Sequence, residues 1–514
     1  METSTLSLEQ LQSEIYSLRN ENSFLKEQLE WFRRQIFGKR SEKVVDDGGQ
    51  QLYLEGFENL GSEEQKETIN VPAHRRVKQG RNGKDKITLP DNIPVQRCIL
   101  DLPEDQKVCP TTGEALVKIG EEVTHKIAHT PGSYYVKELV RPKYACRAHS
   151  EEGVFIADLP DSIFPRCQAD ESLLASVIVK KFADHLPLFR QSEILAREGI
   201  LISRQILCKW VMRCGYALKA LYEEMIARVL SSNNVFVDES PVDMLVPGKG
   251  KVHQAFMWVI VGGQEKNPPY RVYHFRTDRC HKHAVEILAG YKGVVHSDKY
   301  GAYEALANKK QFTWCPCWSH IRRKFFDAVG GDKKFVSWVL RKIKYLFMLE
   351  RVAWERSPEE RLRIRQEKEA PIIDELTARI KDRLVNGKAL PKSNLREALG
   401  YYCSLIPHLK NYTQHAFARL DNNVAERAIR PLAIGRKNWM FIGSEEGGEA
   451  SAVLLSLVQT CRAIGVNPHE YLEDVMRRLP AHNSQKLHEL LPDAWAAARR
   501  QAKASSTSSA PTAE

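Results

Sequence analysis

Three acidic residues, Asp238, Asp298 and Glu426, stand where carboxylates can do chemistry. Asp238 ends the apolar run NNVFVD, Asp298 ends GVVHSD, and Glu426 lies in the helix-like stretch LDNNVAERAIRP. Two acids at strand ends and a third delivered by a later helix can share two hard divalent cations, Mg2+ or Mn2+, which take oxygen ligands. A metal pair of that kind clamps the attacking and the leaving oxygens of a phosphodiester. The chain has 65 Asp and Glu residues in all, and most will be solvated surface charges. These three differ because a carboxylate ending an apolar strand is costly to bury without a partner. Glu239 is the neighbour of Asp238, but adjacent strand residues point to opposite faces, so only one of the two joins the site.

The segments between the acids read as the elements that would position them. VFVDESPVDML reads as a strand with a turn, AFMWVIVGG as a central strand and YRVYHFRT as an alternating strand. HKHAVEILAG reads as a helix closed by Gly290, GVVHSD as a fourth strand and QFTWCPCW as a fifth, before the basic helix SHIRRKFFDAV. Three strands, a helix, a strand and a helix, with acids on the first and fourth strands, is the ribonuclease-H-like order. The long interval between Asp298 and Glu426 predicts an insertion, and residues 327–415 read as charged helices.

The chain resembles the insertion sequence 66 family of bacterial DDE transposases. The resemblance rests on VDESPV around Asp238, HSDKYGAY around Asp298, CWSHIRRKFF from Cys317, and LDNNVAERAIRPLAIGRKNWMFIGSEEGG over residues 420–448. It covers nearly the whole chain and implies that Asp238, Asp298 and Glu426 form the metal-binding triad, with Asp238 preferred over Glu239. It further implies double-stranded DNA, both transposon ends and target, as substrate. Accessory proteins encoded beside the transposase are implied as well. The alternatives are a related nuclease or resolvase that cuts without joining, and a decayed, non-enzymatic DNA-binding regulator.

Composition agrees. Net charge is +11, which favours a polyanionic partner. The 11 cysteines are scattered and odd in number, which argues against a disulfide framework. Neither a signal peptide nor a membrane-length apolar run is apparent, so the expectation is a cytoplasmic protein, nucleoid-associated when acting and without a membrane partner.

Residues 1–40 carry a heptad seam. Leu8, Ile15, Asn22, Leu29 and Ile36 take the a positions, and Leu11, Leu18, Leu25 and Phe32 the d positions. Leucine at d with one polar Asn at a favours a parallel two-stranded coil, hence at least a dimer; an amphipathic helix packed on its own chain is the alternative. Residues 41–95 read as a flexible linker with a basic run from Arg75 to Lys86. Residues 96–160 read as a small zinc-finger-like β module. Its knuckles are incomplete: Cys109, Cys146 and His149 make three ligands where structural zinc takes four. Zinc binding and a metal-free β module both stay open.

Residues 165–230 read as a helix-turn-helix with Gly199 at the turn and Ser203 capping the second helix. Arg204 and Gln205 carry forked groups that match guanine and adenine edges, with Lys209 beside them. The catalytic core is expected over 233–326 and 416–460, a helical segment over 461–500 and a disordered tail over 501–514. His320, Arg322 and Arg323 are candidate DNA contacts, as are Arg427, Arg430, Arg436 and Lys437, the last two in GRKNWMFIGS read as a phosphate-holding loop. Cys315 and Cys317 are assigned to core packing, because C-P-C-x2-H matches no standard knuckle.

Overall fold

The computed structural model describes residues 161–508 apart from 165–166, 247–250, 264–268, 310, 331 and 388. Before these it describes Leu18, Glu21, Asn22, Leu25, Lys26, Gly132, Tyr134, Tyr135 and two short strands. Leu18, Asn22 and Leu25 have helical backbone, and the two leucines are 57% and 54% exposed. Leu11, Ile15 and Leu29 of the expected seam lie outside the described residues, as do the 41–95 linker and Cys109, Cys146 and His149. Within the expected β module, β1 (Lys143–Ala145) pairs antiparallel with β2 (Val154–Ile156).

Four helices follow: α1 (Glu171–Phe182), α2 (Leu188–Arg197), α3 (Arg204–Ala217) and α4 (Lys219–Leu230). They lead into a mixed sheet. Strands β3 (Asn234–Val246), β4 (Lys251–Gly262) and β5 (Tyr270–Arg276) form an antiparallel meander. After α5 (His281–Ile287), β6 (Val294–Ser297) adds parallel to the other side of β3. After α6 (Gly301–Asn308), β7 (Thr313–Pro316) adds parallel to β6. The order across the sheet is β5-β4-β3-β6-β7. The centre is apolar on both faces: Val235, Phe236, Val237, Trp258, Val259, Ile260 and Val261 are all buried. That is why these stretches read as continuous hydrophobic runs rather than alternating ones. Past Ser240 the alternation returns, with Val242 buried between exposed Pro241 and Asp243, because that end of β3 has one face in solvent.

The basic helix α7 (Trp318–Asp327) leads to the insertion: α8 (Lys333–Ala353), α9 (Pro358–Ile364), a π-helical turn (Arg365–Glu369), α10 (Ala370–Val385) and α11 (Asn394–Leu405). The chain returns through α12 (Asn423–Trp439) to β8 (Phe441–Ile442), which pairs parallel with the far end of β3. Helices α13 (Glu445–Ala463), α14 (Pro468–Arg478) and α15 (Pro492–Ser508) complete it. Helix α15 runs on to Ser508, into the stretch expected to be a disordered tail from 501.

Helix α13 joins two parts that the sequence separates. On one side it covers edge strand β5, where Ser456 and Thr460 accept the backbone N–H groups of Tyr273 (2.8 Å) and Arg271 (3.0 Å). A strand edge that would otherwise expose unpaired donors is thereby closed. On the other side it crosses α3 so tightly that a Cβ at Gly215 would fall 2.6 Å from the Ala450 side chain. The helical module and the sheet therefore share one continuous core. Among the described residues no helix is long and apolar enough to cross a membrane.

Candidate active site

Register brings the first two acids together. Phe236 of β3 pairs with His296 of β6 in parallel. Asp238 and Asp298 each lie two residues further on, so they stand side by side: Asp298 just past the end of β6, and Asp238 within β3, which runs on to Val246 instead of ending or turning at the acid as the sequence suggests. Glu426 enters from the first turn of α12.

A set of hydrogen bonds ties the three approaches. Asn422 occupies the N-cap position of α12, but its side chain does not cap the helix. Its Nδ2 donates instead to the carbonyl of Val237 (2.8 Å), the residue before Asp238. The Asn422 N–H donates to Cys317 Sγ (3.2 Å), and the Cys317 N–H donates to the carbonyl of Ser297 (3.0 Å), the residue before Asp298. Asp421 takes over at the helix start, accepting from the Asn423 N–H (3.2 Å) and side-chain amide (2.8 Å).

The electrostatics are those of crowded carboxylates. Burial, then the charges of Asp298, Glu239 and Glu426, push the Asp238 carboxyl up to about 8, while a bond from the Glu239 N–H (2.9 Å) pulls the other way. Glu239 is raised too, chiefly by burial, but it is already engaged. Arg279 donates to it through Nε (2.9 Å) and Nη2 (2.5 Å), and Tyr303 through its hydroxyl (3.2 Å), leaving its side chain 2% exposed. Asp298 Oδ1 and Glu426 Oε1 are buried with no hydrogen-bond partner. Buried carboxylate oxygens without partners, beside a carboxyl raised by burial and by its neighbours' charges, make a cluster that a cation would satisfy. The all-oxygen donor set of Asp238, Asp298 and Glu426 suits a hard divalent ion.

His320, one of the candidate DNA contacts, has its Nδ1 3.7 Å from Glu426 Oε1. Cys315 is buried in β7, consistent with packing, whereas the Cys317 thiol lies at the site with His320 and Glu426. Sequence reasoning missed Cys317 by matching it to knuckle patterns. The usable signal is its spacing from His320, three residues across a helix start, which puts both on one face.

The basic residues divide. Arg427, Arg430 and Lys437 on α12 and Arg323 on α7 are exposed, and Arg322 is half-buried. Arg436 donates to Ser240 Oγ (2.8 Å) and to the carbonyl of Pro241 (2.5 Å), bracing β3 from α12. The stretch read as a phosphate-holding loop is a correction: Arg436 and Lys437 lie in the last turn of α12, which runs through Pro431 to Trp439, and Phe441 begins a strand. Apolar side chains recur at helical spacing through this region, and that pattern outweighs the loop-like glycines.

The helix-turn-helix elements fall where the residues place them. Gly199 adopts φ +81°, which favours glycine. Ser203 caps α3, accepting the Ile206 N–H (3.4 Å), and Ser192 Oγ donates to the Ile202 carbonyl (2.6 Å) across the turn. Leu207, Val211 and Cys214 pack inward, while Arg204, Gln205 and Lys209 are exposed on the first turns of α3.

A family model described as "Transposase IS66 family" matches residues 166–450, and one for the IS66 C-terminal element matches 456–492. A model described as "Transposase C of IS166 homeodomain" matches 24–97, spanning the end of the heptad seam and the expected linker. The zinc-finger binding domain of transposase IS66 matches 106–148, which includes Cys109 and Cys146 and stops one residue short of His149. Among curated relatives, the uncharacterized protein y4jD of Sinorhizobium fredii is 31% identical over 95% of this chain and 96% of its own length. Two others from the same organism, y4qI and y4hP, are 31% and 30% identical over 88% and 91% of this chain, and 85% and 88% of their own lengths.

Proposed function

The chain belongs to the IS66 family of transposases, and from that premise we propose that it binds the ends of a mobile DNA element and catalyses their divalent-metal-dependent cleavage and transfer to target DNA. The observation that carries this reading is the convergence of Asp238, Asp298 and Glu426, two of them aligned by parallel register and the third held by the Asn422 tether. The sheet order, three antiparallel strands followed by two parallel ones with one acid on the first and another just after the fourth, supports a ribonuclease-H-like core.

In this reading Asp238, Asp298 and Glu426 hold two Mg2+ or Mn2+ ions. When bound, such ions activate water and stabilise the charge that develops on the leaving 3′ oxygen. The protein's part is to fix the three carboxylates at one place, which the Val237–Asn422–Cys317–Ser297 bonds do, and to hold the phosphodiester in line. The chain need supply no nucleophile of its own: the 3′-OH released in the first step attacks target DNA in the second. Arg204 and Gln205 read base edges at the element's ends, with Lys209 on phosphate. Arg323, Arg427, Arg430 and Lys437 offer further phosphate contacts. The N-terminal seam, with Asn22 facing its twin, joins two copies, and small proteins of the same element assist. The protein works in the cytoplasm, on the nucleoid.

The test is a reaction of purified protein with Mg2+ and labelled DNA bearing the element's own ends, run beside Asp298→Ala. Nicked ends and joined products, both lost in the variant, support the proposal. Cutting without joining assigns a nuclease instead, and cleavage that survives in the variant refutes the site.

A further inference from the structure

The site holds more donor atoms than three acids supply. Ligand atoms of Cys317, His320 and Glu426 all lie within 4.8 Å of one another. Cys317 occupies the N-cap position of α7, a ten-residue helix, and His320 its first turn, while Glu426 comes from the first turn of α12. One further observation points to a ligand between them. His320 Nδ1 and Glu426 Oε1 are both buried without a hydrogen-bond partner, though they face each other at 3.7 Å. The Cys317 sulfur, by contrast, accepts the backbone N–H groups of Asn422 and His320. Those bonds fix the sulfur beside His320 and Glu426, while burial pushes the thiol up to about 12.

We propose that Cys317, His320 and Glu426 form a second cation site, selective for a borderline thiolate-binding ion such as Zn2+, which withdraws Glu426 from the acid triad when filled. The donor set is one sulfur, one imidazole nitrogen and one carboxylate oxygen, a combination that zinc accepts and magnesium does not. Zinc bonds of roughly 2.0–2.3 Å need the donors somewhat closer than they stand. His320 and Glu426, each 30% exposed at the side chain, have room to close on Cys317, and their exposure gives an ion its way in. Binding forms the zinc–sulfur bond and releases the Cys317 thiol proton to solvent, with no change of oxidation state. The binding stands on this geometry alone. Its consequence, inhibition, rests on the function proposed above, because it requires Glu426 to be needed by the hard cations.

Full-length protein titrated with Co2+, a spectroscopic substitute for Zn2+, tests the binding. Cys317→Ser should lose one thiolate-to-cobalt charge-transfer contribution relative to wild type, and any signal from Cys109 and Cys146 is common to both proteins. His320→Gln, on the more open side of the site, gives the same reading if the serine variant does not fold: weaker tetrahedral visible bands and an affinity lower by more than ~10-fold. Spectra and affinities identical to wild type in both variants overturn the proposal. In a second arm, end cleavage with Mg2+ is measured against added Zn2+, each protein relative to its own zinc-free rate. Half-inhibition should need more than ~10-fold more Zn2+ in Cys317→Ser; equal sensitivity overturns the withdrawal of Glu426. If no protein cleaves at all, the proposed function fails while the cobalt spectra still decide the site.

Discussion

The side-chain amide of Asn422 donates to the carbonyl of Val237 across 2.8 Å, fastening the helix that carries Glu426 to the strand that delivers Asp238. Removing that donor leaves a buried carbonyl unpaired. Asn422→Ala is expected to cost about 1–3 kcal/mol of stability and to lower end cleavage further, because Glu426 loses its register to the strand. Urea unfolding together with cleavage rates measures both; an unchanged cleavage rate would remove Asn422 from the positioning set.

Asp298 and Asp238 repel in the absence of a cation. Asp298→Asn should therefore melt above wild type in EDTA, lose the rise in melting temperature that Mg2+ gives wild type, and abolish cleavage. Thermal melts with and without Mg2+ read this directly. A variant that gains as much from Mg2+ as wild type would refute the assignment of Asp298 as a ligand.

Arg365 is fully buried in the insertion. It donates to Glu350 through Nε (2.6 Å) and Nη2 (2.8 Å), and to the carbonyls of His415 (2.6 Å) and Ala418 (2.8 Å), on the segment leading to α12. Arg365→Met strands a buried carboxylate, and the expected loss is about 3–5 kcal/mol. Adding Glu350→Gln should recover part of it, which a double-mutant cycle in urea measures. No recovery would mean that the carbonyl contacts, not the ion pair, carry the stability.

Glu369 accepts a hydrogen bond from Tyr412 (2.7 Å), and burial and the neighbouring Glu350 charge raise its pKa. The folded state thus keeps a proton that the unfolded chain releases in the ordinary glutamate range. The stabilisation is complete below that range and declines as pH rises towards the raised folded value, by up to about 1.4 kcal/mol per pH unit. Glu369→Gln, which cannot ionise, should flatten that decline. Unfolding free energies at several pH values above the ordinary glutamate range decide it; an unchanged slope would place the proton elsewhere.

On α3, exposed Arg204 and Lys209 are expected to behave differently. Arg204→Ala should cost about 1–3 kcal/mol on the element's own ends and relax sequence preference, whereas Lys209→Ala should weaken all DNA alike and reduce the salt slope by about 1. Binding titrations at several salt concentrations separate the two, and equal effects on specific and random DNA would make Arg204 a phosphate contact.

Much of this architecture is legible in local pattern. The unbroken apolar runs around Val235–Val237 and Val259–Val261 mark central strands, because both of their faces are buried. Gly199 and Ser203 mark the turn and the cap, because each answers a backbone requirement within a few residues. GRKNWMFIGS misled because glycine and basic residues suggest a loop, while the packing of α12 against β3 extends the helix through Arg436.

By itself, then, the sequence determined most of the strands and helices and the family, and singled out three acids as candidates, because periodicity, capping residues and motifs act between near neighbours in the chain. Only the tertiary structure decided that Glu239 is spent on Arg279 and Tyr303, that Asn422 reaches Val237 instead of capping its own helix, and that Cys317 and His320 meet Glu426. Each of those choices pairs groups far apart in the chain, and the hydrogen bond or ion pair that settles it forms only once strand register and helix packing have brought them within reach.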